Sequence, residues 1–110
     1  MSAIIQTRKG AGKAVIRVDS NTTVQVANLA YDTSESVSLA NITKIYWSTN
    51  GSITVARGAN TILTLFNSGF WDFHGISLSE FNTANLVFTI TGAGSMVVEV
   101  AKNSNVALLT

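Results

Sequence analysis

Asp72 and His74 lie two residues apart in a β-patterned stretch, which puts a carboxylate and an imidazole on the same side of a strand. With Ser68 or Ser77 nearby, that pair suggests the Ser-His-Asp chemistry of acyl transfer. A triad needs the carboxylate to approach the imidazole from another direction, and an oxyanion hole besides. Neighbouring positions on one strand supply neither. The pair is therefore expected to face solvent, opposite Trp71 and Phe73, which are expected in the core. Gly10-Ala11-Gly12-Lys13 looks briefly like a phosphate loop, G-x-x-x-x-G-K-[ST]. Thr7 stands where its first glycine belongs and Ala14 where its hydroxyl belongs. No helical pattern follows to aim an N-terminal dipole at a phosphate.

The acidic side chains Asp19, Asp32, Glu35, Asp72, Glu80 and Glu99 are scattered, without the spacing of a calcium loop. One His and no Cys offer a transition metal too few ligands. No catalytic residue, metal site or cofactor is expected, and the chain reads as non-enzymatic. Tyr46, Trp47, Phe70, Trp71 and Phe73 are a conceivable sugar-stacking platform, but strand aromatics more often pack in the core or across strands. Arg8, Lys9 and Lys13 put three of the seven cations within six residues, beside Gly10 and Gly12. They are the candidate partner-binding residues.

The elements that must position these groups are bounded by composition. A length of 110 residues makes one domain. Charged residues are 12% of the chain against about 25% in ordinary domains, while 46% are hydrophobic. The exterior must then consist of Ser, Thr, Asn and exposed apolar groups, a surface poorly protected against association. Partner contact, including self-association, is expected. A net charge of +1 argues against nucleic acid as partner. No run approaches the ~20 apolar residues of a membrane span, and the N-terminus lacks a signal-peptide core, so a cytoplasmically made protein is expected.

From Lys13 onward the pattern is β. Asp19-Ser20-Asn21 reads as a turn, and Asn50-Gly51 between alternating apolar runs reads as a two-residue hairpin. Arg57-Gly58-Ala59-Asn60 and Asn67-Ser68-Gly69 read as further turns. Leu86–Thr91 and Met96–Lys102 read as a hairpin around Gly92-Ala93-Gly94. Ser77-Leu78-Ser79-Glu80 fits a helical turn, and Asn105 to Thr110 a last edge strand. The expected architecture is all-β, an antiparallel β-sandwich or barrel of about nine short strands over residues 13–110. A flexible basic arm, residues 1–12, precedes it.

The run Ile42–Trp47, then Ile53–Thr61 with its Arg57-Gly58-Ala59-Asn60 turn, then Ser68–Gly75, then the Leu86–Lys102 segment resembles small β-rich virion structural proteins of tailed bacteriophages, particularly of marine hosts. The match covers about residues 40–102. The resemblance implies a capsid decoration (cement) protein on the virion exterior, made in the host cytoplasm and contacting the major capsid protein and its own copies. The alternative it leaves open is a tail, neck or receptor-facing module that binds surface glycans through Tyr46, Trp47 or Trp71.

Overall fold

The computed structural model describes residues 3–74 and 82–106, and in them the chain is all-β and antiparallel. The strands are β1 (Ala3–Thr7), β2 (Lys13–Val18), β3 (Thr22–Val24), β4 (Glu35–Arg57), β5 (Asn60–Asp72), β6 (Leu86–Thr91) and β7 (Gly94–Val106), with one 3-10 turn at Val26–Leu29. They form a single curled sheet, a half-barrel, ordered β1-β2-β7-β4-β6-β3 with β5 on the other edge of β4. There are seven strands rather than nine because several runs separated by turn-like residues are one strand. The helical turn expected at Ser77–Glu80 lies outside the described residues, and β7 takes in the start of the expected last strand.

At about 3.3 Å per residue, the 23 residues of β4 would span roughly 75 Å if straight. The molecule is only 52 Å in its longest dimension, so the strand must bend. It bends at Thr49–Gly51. Before the bend β4 pairs with β7, down to Thr49↔Gly94; after it β4 pairs with β6, from Ser52↔Thr91. Because β5 occupies the other side from Lys44 to Arg57, β6 and β7 lie end to end along one edge of β4. They do not form the expected hairpin with each other. Asn50-Gly51 is not a hairpin turn either, and Asn67-Ser68-Gly69 is inside β5. Asn67, at φ 61°, faces the bend between Ser48↔Ser68 and Ser52↔Phe66. Asp19–Asn21 and Ile90–Gly94 border one another on the far side, where Asn21 Oδ1 accepts the Ile90 amide at 2.7 Å. Four turn-like segments thus line up as one crease across the sheet. Of the expected turns, Arg57-Gly58-Ala59-Asn60 is a true hairpin, with Gly58 at φ 60°.

The crease is held by side chains standing in for ladder bonds. Asn50 exchanges two hydrogen bonds with Ala93, its amide donating to the carbonyl at 3.0 Å and its Oδ1 accepting the Ala93 amide at 2.8 Å. The Thr49 hydroxyl donates to the Ala93 carbonyl and accepts from the Gly51 amide. Gly51 is required by proximity: a Cβ there would run into the Thr91 carbonyl oxygen. We expect Gly51→Ala to cost roughly 1–3 kcal/mol, since backbone cannot rotate away as a side chain does. An unchanged urea midpoint would show that the two strands separate freely here.

Folding the sheet on this line lets its two halves share one core. Ile16, Ile42, Ile45, Val98 and Val100 from one half join Ile53, Val55, Leu86 and Phe88 from the other, with Val26 and Leu29 of the 3-10 turn. In β4 the inward parity slips twice, at bulges between Val37/Ala40 and Ile42/Lys44. The amides of Ser38 and Leu39 at the first bulge both donate to Asn103 Oδ1, each at 2.9 Å. Two slips restore the phase, so Val37, Ile45 and Val55 all face inward.

Candidate functional site

Two adjacent cross-strand rows define the site, because residues directly opposite each other share a face. Ile5, Ile16, Val98, Ile45 and Trp71 stand in one row on the core side. One residue along, Ile4, Arg17, Val97, Tyr46 and Phe70 form the matching row on the outer side. That outer stripe crosses five strands. Ile4, Tyr46 and Phe70 are 45%, 52% and 51% exposed. The Tyr46 and Phe70 rings stack at 4.4 Å between centroids and 24° between planes.

The stripe has a polar border on each side. Ser95, Ser48 and Ser68 line one flank. Glu99, Lys44 and Asp72 line the other, with Lys44 Nζ 3.8 Å from Glu99 and the Thr43 hydroxyl 3.0 Å from the same carboxylate. Flat aromatic faces bordered by hydroxyls and charges can pack against apolar groups of a partner while hydrogen-bonding around the edge. They offer no nucleophile poised beside a base. Trp47 lies on the core side: its indole donates to the Phe66 carbonyl at 3.0 Å and covers Gly69, where a Cβ would come within 2.6 Å of the ring.

Compared with known proteins, the chain matches no protein-family model, no curated protein and no solved structure. Its chemistry therefore has to be argued from its own side chains.

The residues expected to do chemistry are spread out. Asp72 Oδ1 accepts the backbone amide of His74 at 2.7 Å, closing a turn at the end of β5. Ser68 is four residues back on the same strand, about 13 Å away at strand rise. Ser77 is outside the described residues. Within Gly10–Lys13 the Gly10 amide is taken by Glu35 Oε2 at 3.0 Å, and strand β2 follows instead of a helix. Among the described residues, no three His, Asp or Glu side chains gather as a metal would require.

Trp71, expected in the core, does face that side but is 48% exposed, because β5 is an edge and its core row ends there. Phe73 is half-buried and packs 5.1 Å from it. Residues 3–7 are not a free arm either: Ala3–Thr7 pair one by one with Val18–Ala14. Of the three arm cations, Lys9 is 2.8 Å from Asp32 and 5.8 Å from the centre of the Tyr31 ring. Lys9 and the Ser34 hydroxyl hold the Asp32 carboxyl down to about 2. Arg8 and Lys13 border an open groove with Ile5, Tyr31 and Glu99.

Behind the groove lies a buried ion pair that sequence reading missed. Lys102 Nζ is 2.9 and 3.0 Å from the two oxygens of Glu35, and both side chains are fully buried. Lys102 also donates to the Thr7 hydroxyl and to the carbonyls of Arg8 and Leu29. Glu35 accepts further from the Tyr31 and Gly10 amides and the Ser104 hydroxyl. Burial alone would push the Glu35 carboxyl up; the Ser104, Lys102, Tyr31 and Gly10 donors outweigh it and hold it at about 2. The node ties the N-terminal hairpin to β4 and β7.

Arg57, also buried, is the second missed residue. Its guanidinium donates to the carbonyls of Ala40 at 2.7 Å, Asn82 at 2.9 Å and Ala84 at 2.9 Å. Burial lowers its pKa, yet a guanidinium stays charged. A lysine at alternating position 102 and an arginine before a turn both look solvated in sequence; only long-range pairing puts them inside.

Proposed function

We propose that the chain is a non-enzymatic structural protein of a virus particle. In this reading it decorates the exterior of a tailed-phage capsid, bridges and stabilises major capsid protein subunits, and associates with its own copies there. The observation that carries it is the outer stripe. A half-exposed row of Ile4, Arg17, Val97, Tyr46 and Phe70 across five strands is a surface made for contact rather than for catalysis. The low charge of the chain and the resemblance of residues 40–102 to virion proteins support the same assignment. Arg8 and Lys13 supply a cationic rim whose contribution to attachment should weaken with salt. Repetition over a lattice then gives firm attachment from modest single contacts.

The test is co-sedimentation with undecorated heads. Wild-type protein should saturate them at on the order of hundreds of copies per particle, as a lattice-covering protein does. Tyr46→Ala with Phe70→Ala should cut affinity about tenfold or more, as for central aromatic contacts. Failure of the wild-type protein to bind heads would remove the decoration role. A second reading, a tail or receptor-facing glycan binder, is favoured by the same stacked Tyr46–Phe70 pair together with exposed Trp71. Binding of oligosaccharide, lost in the double variant, would support that reading instead.

A further inference from the structure

We propose that β5 is a self-pairing edge, through which two copies of the chain join antiparallel across a two-fold axis into one continuous sheet. The inference stands apart from the particle assignment. β5 is 13 residues long, and among the described residues it pairs with β4 alone, nothing lying against its outer side. Exposed edges are normally blunted by short length, by Lys or by Pro, because their free N–H and C=O groups template another strand. The other edges of this sheet follow that practice. β3 has three residues, while β1 has five and runs directly into Arg8 and Lys9. β5 has neither Lys nor Pro: from Asn60 to Trp71 it carries no charge, Asp72 closing its far end, and only the register shifts beside Ile62 and Asn67 interrupt it.

Its side chains point to the same conclusion. Phe66, Phe70 and Trp71 are 59%, 51% and 48% exposed, and they lie on both faces of the strand. A strand laid against the edge covers side chains above and below it, which a ligand on one face cannot do. Half-exposed aromatics of about 200 Å² each present roughly 300 Å² per copy. That is under half of the ~800 Å² per partner of a stable interface, so the strand's backbone and smaller side chains would have to supply the rest. The occupant follows from polarity. An antiparallel edge is its own complement, each donor meeting an acceptor under two-fold rotation. The edge, uncharged from Asn60 to Trp71 with Asp72 at its end, also repels no copy of itself along that length and offers little charge to select a charged partner.

Sedimentation equilibrium of the full chain, from micromolar to submillimolar, should show the 11.6 kDa species giving way to one of twice that mass. Hydrogen exchange on the wild type should show β5 amides slowing as concentration rises, while β1 and β3 amides do not. Thr64→Lys combined with Phe66→Lys alters two exposed positions and sets like charges against each other across the axis. It should weaken dimerisation at least about tenfold, with the thermal midpoint unchanged at concentrations where the wild type is monomeric. A chain monomeric throughout would overturn the proposal, as would a dimer indifferent to the lysines or protected at another strand. A monomer whose β5 amides are protected only by added neutral oligosaccharide would assign the edge to a glycan and overturn it equally.

Discussion

Lys102→Met should destabilise the protein by roughly 3–5 kcal/mol, because it strands the Glu35 carboxylate in a site from which water is excluded. It also withdraws the ammonium from the Thr7 hydroxyl and the Arg8 and Leu29 carbonyls, so the N-terminal hairpin keeps its β2–β7 ladder but loses its side-chain tie to β7. Adding Glu35→Gln should recover a large part of the loss, since what costs most is the unpaired charge and not the absence of the pair. Acid titration gives an independent readout. The folded carboxyl sits at about 2 against an ordinary 4.5, so the unfolded chain binds the proton more readily. Stability from this group is complete above 4.5 and declines as pH falls towards 2. In Lys102→Met that decline should flatten, because the carboxyl no longer has its ammonium. Urea midpoints at a series of pH values would check both; equal slopes in the two proteins would show that Glu35 is not held by Lys102.

Arg57→Met should be comparably severe. It leaves the carbonyls of Ala40 and Ala84 without the guanidinium donor, at about 1–3 kcal/mol for each that stays buried, and the Asn82 carbonyl with one donor fewer. Asn82 also accepts from the Ala40 amide at 2.9 Å, so the segment leading into β6 and the middle of β4 would loosen together. Arg57→Lys should rescue only partly, because one ammonium cannot span acceptors that a planar fork reaches at once. The thermal midpoint should fall in the order wild type, Lys, Met. A Lys variant as stable as wild type would mean that charge, rather than fork geometry, is what the site needs.

The strands were legible in sequence because alternation is a local property. What Asn50-Gly51 does was not. Gly and Asn are selected wherever backbones crowd or φ turns positive, and a crease across neighbouring strands makes the same demands as a hairpin. Gly51 answers proximity to Thr91, whereas Gly58 answers a true turn. β4 also runs without interruption from Glu35 because its two bulges shift the alternation without ending the strand. In the candidate site, the aromatic residues were visible but their facing was not. Tyr46 is outside because Ile45 is inside, and Trp71 stays half-exposed because the sheet stops at β5. Apart from Tyr31, four residues from Glu35, the partners of Glu35 and Arg57 lie 17 to 69 residues away, beyond any local pattern.

The pairing of β2 with β7 also governs the order in which the molecule can assemble. Lys13–Val18 must wait for Met96–Ala101, and Thr7 for Lys102, so the first strands emerge from the ribosome long before their neighbours exist. Only the β1–β2 and β4–β5 hairpins can close early. Both of those leave apolar rows uncovered until the last strand arrives to join the halves, which makes β7 the clasp of the whole domain. Such non-local closure belongs to slowly folding β-topologies, and during synthesis it leaves the unguarded β5 edge in view of other nascent chains before the core behind it is complete.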